Sequence, residues 1–163
     1  MATPLEFTAN YAHSTTAVRA AFTDEQYWKD RLAEVGGPGA QLDSYSYDGT
    51  TLRVAMTQTI PPEDLPAAIT AIKPNGLVIP RTETYVESEA SGTFEAYVVD
   101  APAQVRGTVT MSGDETHSRG VVSGTVEVTI PVFGKKIEKA VAEKLLELLA
   151  AEAEFTDNWI AKR

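Results

Sequence analysis

Arg81, Glu83 and Tyr85 alternate along the chain, so in a strand all three share one face. Turned inward, they would be polar groups in an apolar interior, placed to orient the polar head of a ligand. Turned outward, Arg81 and Glu83 would make a surface ion pair of little worth. The opposite face carries Val78, Pro80, Thr82, Thr84 and Val86; its register is ambiguous, and the surface reading is preferred. His13 follows a short strand and precedes a helix. With no cysteine or serine elbow beside it, it reads as structural, because a general base needs a reacting proton within reach. His117 sits in the polar turn Glu115-Thr116-His117-Ser118-Arg119 and reads as solvated. Tyr85 paired with Glu83 or His13 is the arrangement an acid–base enzyme would need. No residue is assigned as catalytic.

Other chemistries are narrowed by composition. The 163 residues contain no cysteine and two histidines, which leaves no thiol nucleophile, no disulfide scaffold and no Cys- or multi-His metal site. No cofactor or metal is expected. Serine-elbow, zinc-protease, calcium-loop and dinucleotide-binding glycine patterns are all missing. Gly36-Gly37-Pro38-Gly39 lacks the Gly-Lys-Ser/Thr ending of a phosphate loop and reads as a turn. Gly134-Lys135-Lys136 opens a helix, where an anion could sit, but solvated lysines are the preferred reading. The net charge is −9. Within residues 131–163 the basic set (Lys135, Lys136, Lys139, Lys144, Lys162, Arg163) balances the acidic one (Glu138, Glu143, Glu147, Glu152, Glu154, Asp157), so residues 1–130 carry the excess. An acidic body argues against nucleic-acid or anionic-membrane partners. No stretch approaches the length of a membrane span, and the N-terminus lacks the pattern of a secretory signal. A cytoplasmic protein without integral membrane association is expected; its oligomeric state is not legible.

The elements that must position these residues follow from periodicity. Leu5, Phe7 and Ala9 alternate with polar residues, as in a half-buried strand. Ser14 or Thr15, and then Thr23-Asp24, offer caps for two short helices, the second carrying Tyr27, Trp28, Leu32 and Val35. Asp48-Gly49 predicts a hairpin between residues 41–47 and 51–60. Leu65, Ala68, Ile69 and Ile72 suit a short helix. Stretches 78–88, 93–99, 104–111 and 121–130 read as an antiparallel meander. Ile137, Val141, Leu145, Leu148, Phe155 and Trp159 fall on one face of a long helix over 135–161. In one domain spanning 1–163, that helix must bury its stripe on the sheet. Its Trp159 N–H is expected to find a backbone carbonyl.

This order resembles the helix-grip fold of the START and Bet v 1-like superfamily, also called SRPBCC, along the whole chain. The most specific local piece is Val128-Thr129-Ile130-Pro131-Val132-Phe133-Gly134-Lys135-Lys136-Ile137-Glu138-Lys139, a last strand running through Ile-Pro and Gly into the final helix. More narrowly, the chain is similar to an actinobacterial family catalogued as domain of unknown function 2505. The resemblance implies an α+β fold: a curved antiparallel sheet of six to seven strands around a long C-terminal helix, with two short helices after the first strand. It also implies a cavity between sheet and helix, where members bind lipids, sterols, polyketides or other apolar molecules. Some members are cyclases or dehydratases and some are co-chaperones; fold does not choose among these.

A hydrophobic small molecule is the partner expected here. The carrier reading requires a cavity of a few hundred Å3 near Phe155 and Trp159 and fails without one, since ligand sites usually need about that volume. Inner strand faces and the helix stripe nominate Met56, Tyr85, Phe94, Val109, Met111, Leu148, Phe155 and Trp159 as ligand-binding residues. Gly107 and Gly124 on the inner face are read as tight curvature in preference to ligand space. Residues 61–76, longer than a simple hairpin link, could close one mouth as a lid. Two rivals stand beside the carrier: an interaction module with a filled interior, and an enzyme acting on such a ligand. The balance leans away from an enzyme.

Overall fold

Alternating apolar residues make seven strands that pair into one antiparallel sheet, in the computed structural model that describes residues 2–163. The strands are β1 (Thr3–Tyr11), β2 (Gln41–Tyr47), β3 (Thr51–Ile60), β4 (Leu77–Val86), β5 (Ser91–Tyr97), β6 (Ala103–Gly113) and β7 (Ser118–Val128). Their order across the sheet is β1-β7-β6-β5-β4-β3-β2. Consecutive strands are neighbours except at β1, which returns to pair with β7, with Leu5 opposite Gly124. Between β1 and β2 lie α1 (Thr15–Phe22) and α2 (Glu25–Val35). Ser14 caps the first through Ala17 N–H and Asp24 caps the second through Gln26 N–H, each satisfying a donor the helix leaves open. The Asp48-Gly49 turn joins β2 to β3, with Gly49 at φ 96°.

The chain ends in α4 (Gly134–Ala161), 28 residues long and so about 42 Å at 1.5 Å per residue. It packs on the sheet's inner face and against α2. Glu138, although charged, is buried. Its carboxylate accepts from Val128 N–H at 2.9 Å and from Thr3 Oγ1 at 2.8 Å, tying the helix start to β7 and β1. Just before the helix, Val132 lies at φ 70°, a region that β-branched residues rarely adopt. Val132 and its neighbour Phe133 are 92% and 61% exposed.

Two apolar cores flank the middle of α4. One gathers Leu5, Ile60, Ile69, Leu77, Val126, Ile137 and Val141 around the first half of the helix. The other gathers Val18, Phe22, Tyr27, Trp28, Leu52, Val54, Met56 and Phe155 around the second half. The segment 61–76 supplies a single 3-10 turn (Pro62–Asp64) and α3 (Ala67–Thr70). Its Ile69 is buried in the first core, so the segment packs on the early part of α4.

Gly107 and Gly124 face each other across β6 and β7. A methyl group at Gly107 would collide with the Ser123 carbonyl oxygen and come within 2.9 Å of the Phe94 ring. These glycines therefore permit close approach of strands and ring, not space for a ligand.

Candidate ligand site

The register of β4 decides the site. Leu77 and Ile79 are buried on the inner face, and the alternation carries Arg81, Glu83 and Tyr85 inward with them. The preferred surface reading of Arg81 and Glu83 is thus corrected. The flanking apolar residues set the pleat, and the pleat carries the charges inside.

What makes this tolerable is a closed ring of charges. Glu152 of α4 and Arg31 of α2 join the β4 pair. Arg31 Nη2 lies 2.9 Å from Glu152 Oε1 and 3.4 Å from Glu83 Oε2. Arg81 Nη2 lies 2.7 Å from Glu83 Oε2, and Arg81 Nη1 lies 2.8 Å from Glu152 Oε2. Positive and negative groups alternate, and their formal charges cancel. Gln58 of β3 braces the ring, donating to Glu152 Oε2 at 2.9 Å and accepting from Arg81 Nη1 at 3.1 Å. The Tyr85 hydroxyl donates to Glu83 Oε1 at 2.5 Å. A second chain of bonds ends on the helix backbone: Arg31 Nη1 donates to the Tyr27 hydroxyl at 3.3 Å, Tyr27 donates to Thr156 Oγ1 at 2.6 Å, and Thr156 donates to the Glu152 carbonyl at 2.8 Å. The Arg31 guanidinium also stacks 4.7 Å from the Trp28 ring.

Burial works against the charges of Glu152, Arg31 and Arg81, and pairing overrules it. It pushes Glu152 towards protonation, but Arg31 and Arg81 hold its pKa down at about 2. Burial likewise opposes the Arg31 charge, yet Glu152, Tyr27 and Glu83 raise its pKa. Tyr85 is shifted well up, first by burial and then by Glu83. Each charged group is committed to its partners, so the ring is a fixed electrostatic floor.

Above that floor is a cavity of about 80 Å3. It lies where the two cores meet. Tyr11, Arg31, Gln58, Arg81, Glu83 and Glu152 form its polar side. Phe94, Val105, Val109, Met111, Leu148 and Leu149 form its apolar side. Five of the residues nominated from sequence are in this wall: Tyr85, Phe94, Val109, Met111 and Leu148. Three are not. Met56 is fully buried in the second core, Phe155 packs 5.9 Å from the Tyr27 ring, and Trp159 packs 5.3 Å from it. The expected location is corrected accordingly: Phe155 and Trp159 pack on α2, and the cavity wall on α4 is formed by Leu145, Leu148, Leu149, Glu152, Ala153 and Thr156. The expected size is corrected as well, because 80 Å3 holds roughly half a dozen waters. The Trp159 N–H donates to Asp30 Oδ2 at 2.9 Å, a carboxylate where a backbone carbonyl was expected. His13 Nδ1 lies 3.0 Å from Asp157 Oδ1, outside the cavity wall.

Arg31, Gln58, Glu152 and Tyr11 were not singled out from sequence as site residues. Each left a trace: Glu152 interrupts an apolar helix stripe, Gln58 stands between Met56 and Ile60, Arg31 follows Tyr27 by one helical turn, and Tyr11 continues the row of Leu5, Phe7 and Ala9. A wider depression of about 300 Å3 lies on the sheet's outer face, between Pro80, Thr82, Glu95, Tyr97, Gln104 and Arg106. It lacks the buried, converging polar groups of the inner site. Among the described residues no cluster of three or more His, Asp or Glu is placed to hold a metal, and no helix is long and apolar enough to cross a membrane.

The sheet wrapped on a long helix, with a cavity between them, is the START/Bet v 1-like helix-grip architecture, and solved structures share it. The protein TTHA0849 from Thermus thermophilus superposes with a TM-score of 0.66 at 15% identity, covering 98% of both chains. A START superfamily protein from Mycobacterium smegmatis gives 0.57 at 16%, covering 98% of this chain and 97% of that one. Norcoclaurine synthase from Thalictrum flavum gives 0.66 at 14%, covering 100% and 88%; the same enzyme has been solved with dopamine and hydroxybenzaldehyde. At these identities the likeness establishes the fold alone. The chain belongs to the family described as "Protein of unknown function (DUF2505)", whose model matches residues 6–160. Uncharacterized protein Rv0481c of Mycobacterium tuberculosis is 32% identical over 165 aligned residues, with 95% of each chain covered.

Proposed function

We propose that this protein binds a small, largely apolar molecule in the cavity between the sheet and α4. Tyr85, Phe94, Val109, Met111 and Leu148 contact it, and the Arg31–Glu83–Arg81–Glu152 ring lies beneath its polar end. The observation that carries this reading is the joining of an apolar wall to a buried, fully paired polar floor in one cavity. Ligand sites combine those features: apolar area for affinity and a few fixed polar groups for orientation. The volume is below the roughly 300–1,000 Å3 of drug-sized sites, so the bound molecule is small, or Leu148 and Leu149 move to admit a larger one. Single-ring aromatics such as those bound by the norcoclaurine synthase neighbour are of the right order.

A docking module with a closed interior is the second reading. The small cavity and the exposed Val132 and Phe133 favour it. One titration separates the two. Toluene, a neutral apolar single-ring molecule, should bind with single-site saturation in a calorimetric titration. Leu148→Phe, which fills the cavity, should weaken it at least tenfold while the circular dichroism spectrum stays native. Absence of saturable binding, or binding indifferent to the filled cavity, removes the carrier reading.

A further inference from the structure

The turn between β7 and α4 departs from three preferences of helix starts at once. Phe133 occupies the cap position of α4 and makes no side-chain capping bond, where Ser, Thr, Asp or Asn would satisfy an open N–H. The first turn carries Lys135 and Lys136 and no acid, although the helix dipole favours the opposite sign there. Val132 lies at φ 70°, a strain that persists in β-branched residues mainly where function uses it. The turn is nonetheless firmly held. Phe133 N–H donates to the Pro131 carbonyl at 2.8 Å, and Gly134 N–H donates to the Ile130 carbonyl at 2.9 Å. Local preferences set aside together in a well-held segment point to a functional surface.

What the turn presents is an apolar tip followed by positive charge. Val132 and Phe133 stand out into solvent. From Val128 to Lys139 the exposed charged residues are Lys135, Lys136 and Lys139. The one acid in that span, Glu138, is buried on Val128 N–H and Thr3 Oγ1, with Lys135 Nζ 3.7 Å from it. The exposed acids Glu63, Asp64 and Asp100 lie on other turns. Two protruding side chains are too small a face for a stable protein interface, which buries about 800 Å2 per partner. They match the two-part chemistry of an anionic bilayer, whose acyl region takes apolar side chains and whose phosphates take ammonium groups. The net charge of −9 opposes such a surface, but residues 1–130 carry that excess, and charges beyond about 8 Å are largely screened at physiological salt. The contact is decided at the tip.

An apolar row leads inward from the same end of the sheet. Ile130 lines a cavity of about 30 Å3 together with Ile72. Leu77 and Val141 line both that cavity and a second one of about 30 Å3. Ile79 and Leu145 line both the second and the main cavity. We propose that Val132, Phe133, Lys135, Lys136 and Lys139 form a docking surface for a bilayer containing anionic phospholipids. The proposal goes beyond the carrier reading and does not depend on it; where both hold, the row of cavities runs from the membrane contact to the ligand site.

The test is flotation of the full chain with vesicles at physiological ionic strength. Vesicles of phosphatidylcholine and phosphatidylglycerol in equal amounts should carry the protein. Vesicles of phosphatidylcholine alone should bind it about tenfold more weakly or worse, since each lysine at an anionic surface is worth about fivefold. Lys135→Gln combined with Lys136→Gln should weaken binding to the mixed vesicles about 25-fold. Phe133→Ser should weaken it about tenfold. Serine suits a cap position, so this variant should melt no lower than the wild type. Lys162→Gln, beyond the other end of α4, should bind like the wild type. Failure to float with the mixed vesicles, equal binding to both vesicle types, or flotation of Phe133→Ser at the wild-type level overturns the proposal. Self-association without flotation, abolished by Phe133→Ser, also overturns it and assigns the tip to a second copy of the chain. The toluene titration tests the carrier reading separately, so failure of one leaves the other standing.

Discussion

Glu152 shows how one side chain can hold a buried charge network together. It is buried in the middle of α4, accepts from Arg31, Arg81 and Gln58, and closes the ring. Removing one partner of a buried ion pair usually costs about 3–5 kcal/mol, because the remaining charge is stranded. Glu152→Gln keeps the shape but leaves the two arginines facing Glu83 alone, so it should destabilise the protein by about 3 kcal/mol at pH 7 in urea unfolding. The sign with pH follows from its pKa, held near 2 against an ordinary 4.5. A carboxyl group lowered in the folded state contributes stability that is complete above the unfolded value and lost as pH falls through the folded one. The wild type should therefore lose stability between about pH 5 and pH 2 more steeply than Glu152→Gln. Asp48 and Asp114 are also lowered to about 2, but both remain in the variant, so the difference between the two melting profiles isolates Glu152. Equal acid slopes would show that the ring does not hold the Glu152 charge. The ring was poorly legible in the sequence for a physical reason. Its members come from α2, β3, β4 and α4, and a lone Arg or Glu on an apolar face reads as an exception until the partner that neutralises it is placed opposite.

Strands and helices were far easier to read than their facing. The caps at Ser14 and Asp24, the Asp48-Gly49 turn and the apolar face of α4 are local signals, and each element formed where its signal stood. The facing of β4 was not local. Its outer row holds Val78, Pro80 and Val86, as apolar as its inner row of Leu77, Ile79 and Tyr85, so alternation alone cannot choose; pairing with Leu52, Val54 and Met56 of β3 does. Gly107 makes the opposite case, a residue whose small size the sheet requires. Because an added methyl would meet the Ser123 carbonyl and the Phe94 ring, Gly107→Ala should cost about 1–3 kcal/mol through overpacking. Urea unfolding measures this as a lower midpoint with an unchanged slope. An unchanged midpoint would mean that β6 and β7 have slack at this position and that Phe94 is free to move.

At the scale of the molecule, the proposed site follows from where the two cores fail to merge. The order of elements made the helix-grip architecture readable, and that architecture implies space between sheet and helix. Its depth along α4 was not readable, because it depends on α2 docking against Phe155 and Trp159. What is left is a cavity of about 80 Å3 midway along the helix, apolar on one side and charge-paired on the other. The claim that this cavity has an occupant is tested most directly by native mass spectrometry of the protein purified from its own host, with a denatured control. The account predicts a small-molecule adduct in the native spectrum that vanishes on denaturation and is missing from the Leu148→Phe variant prepared in the same way. The bare chain mass in both native and denatured spectra, or an adduct that persists with the cavity filled, would contradict it.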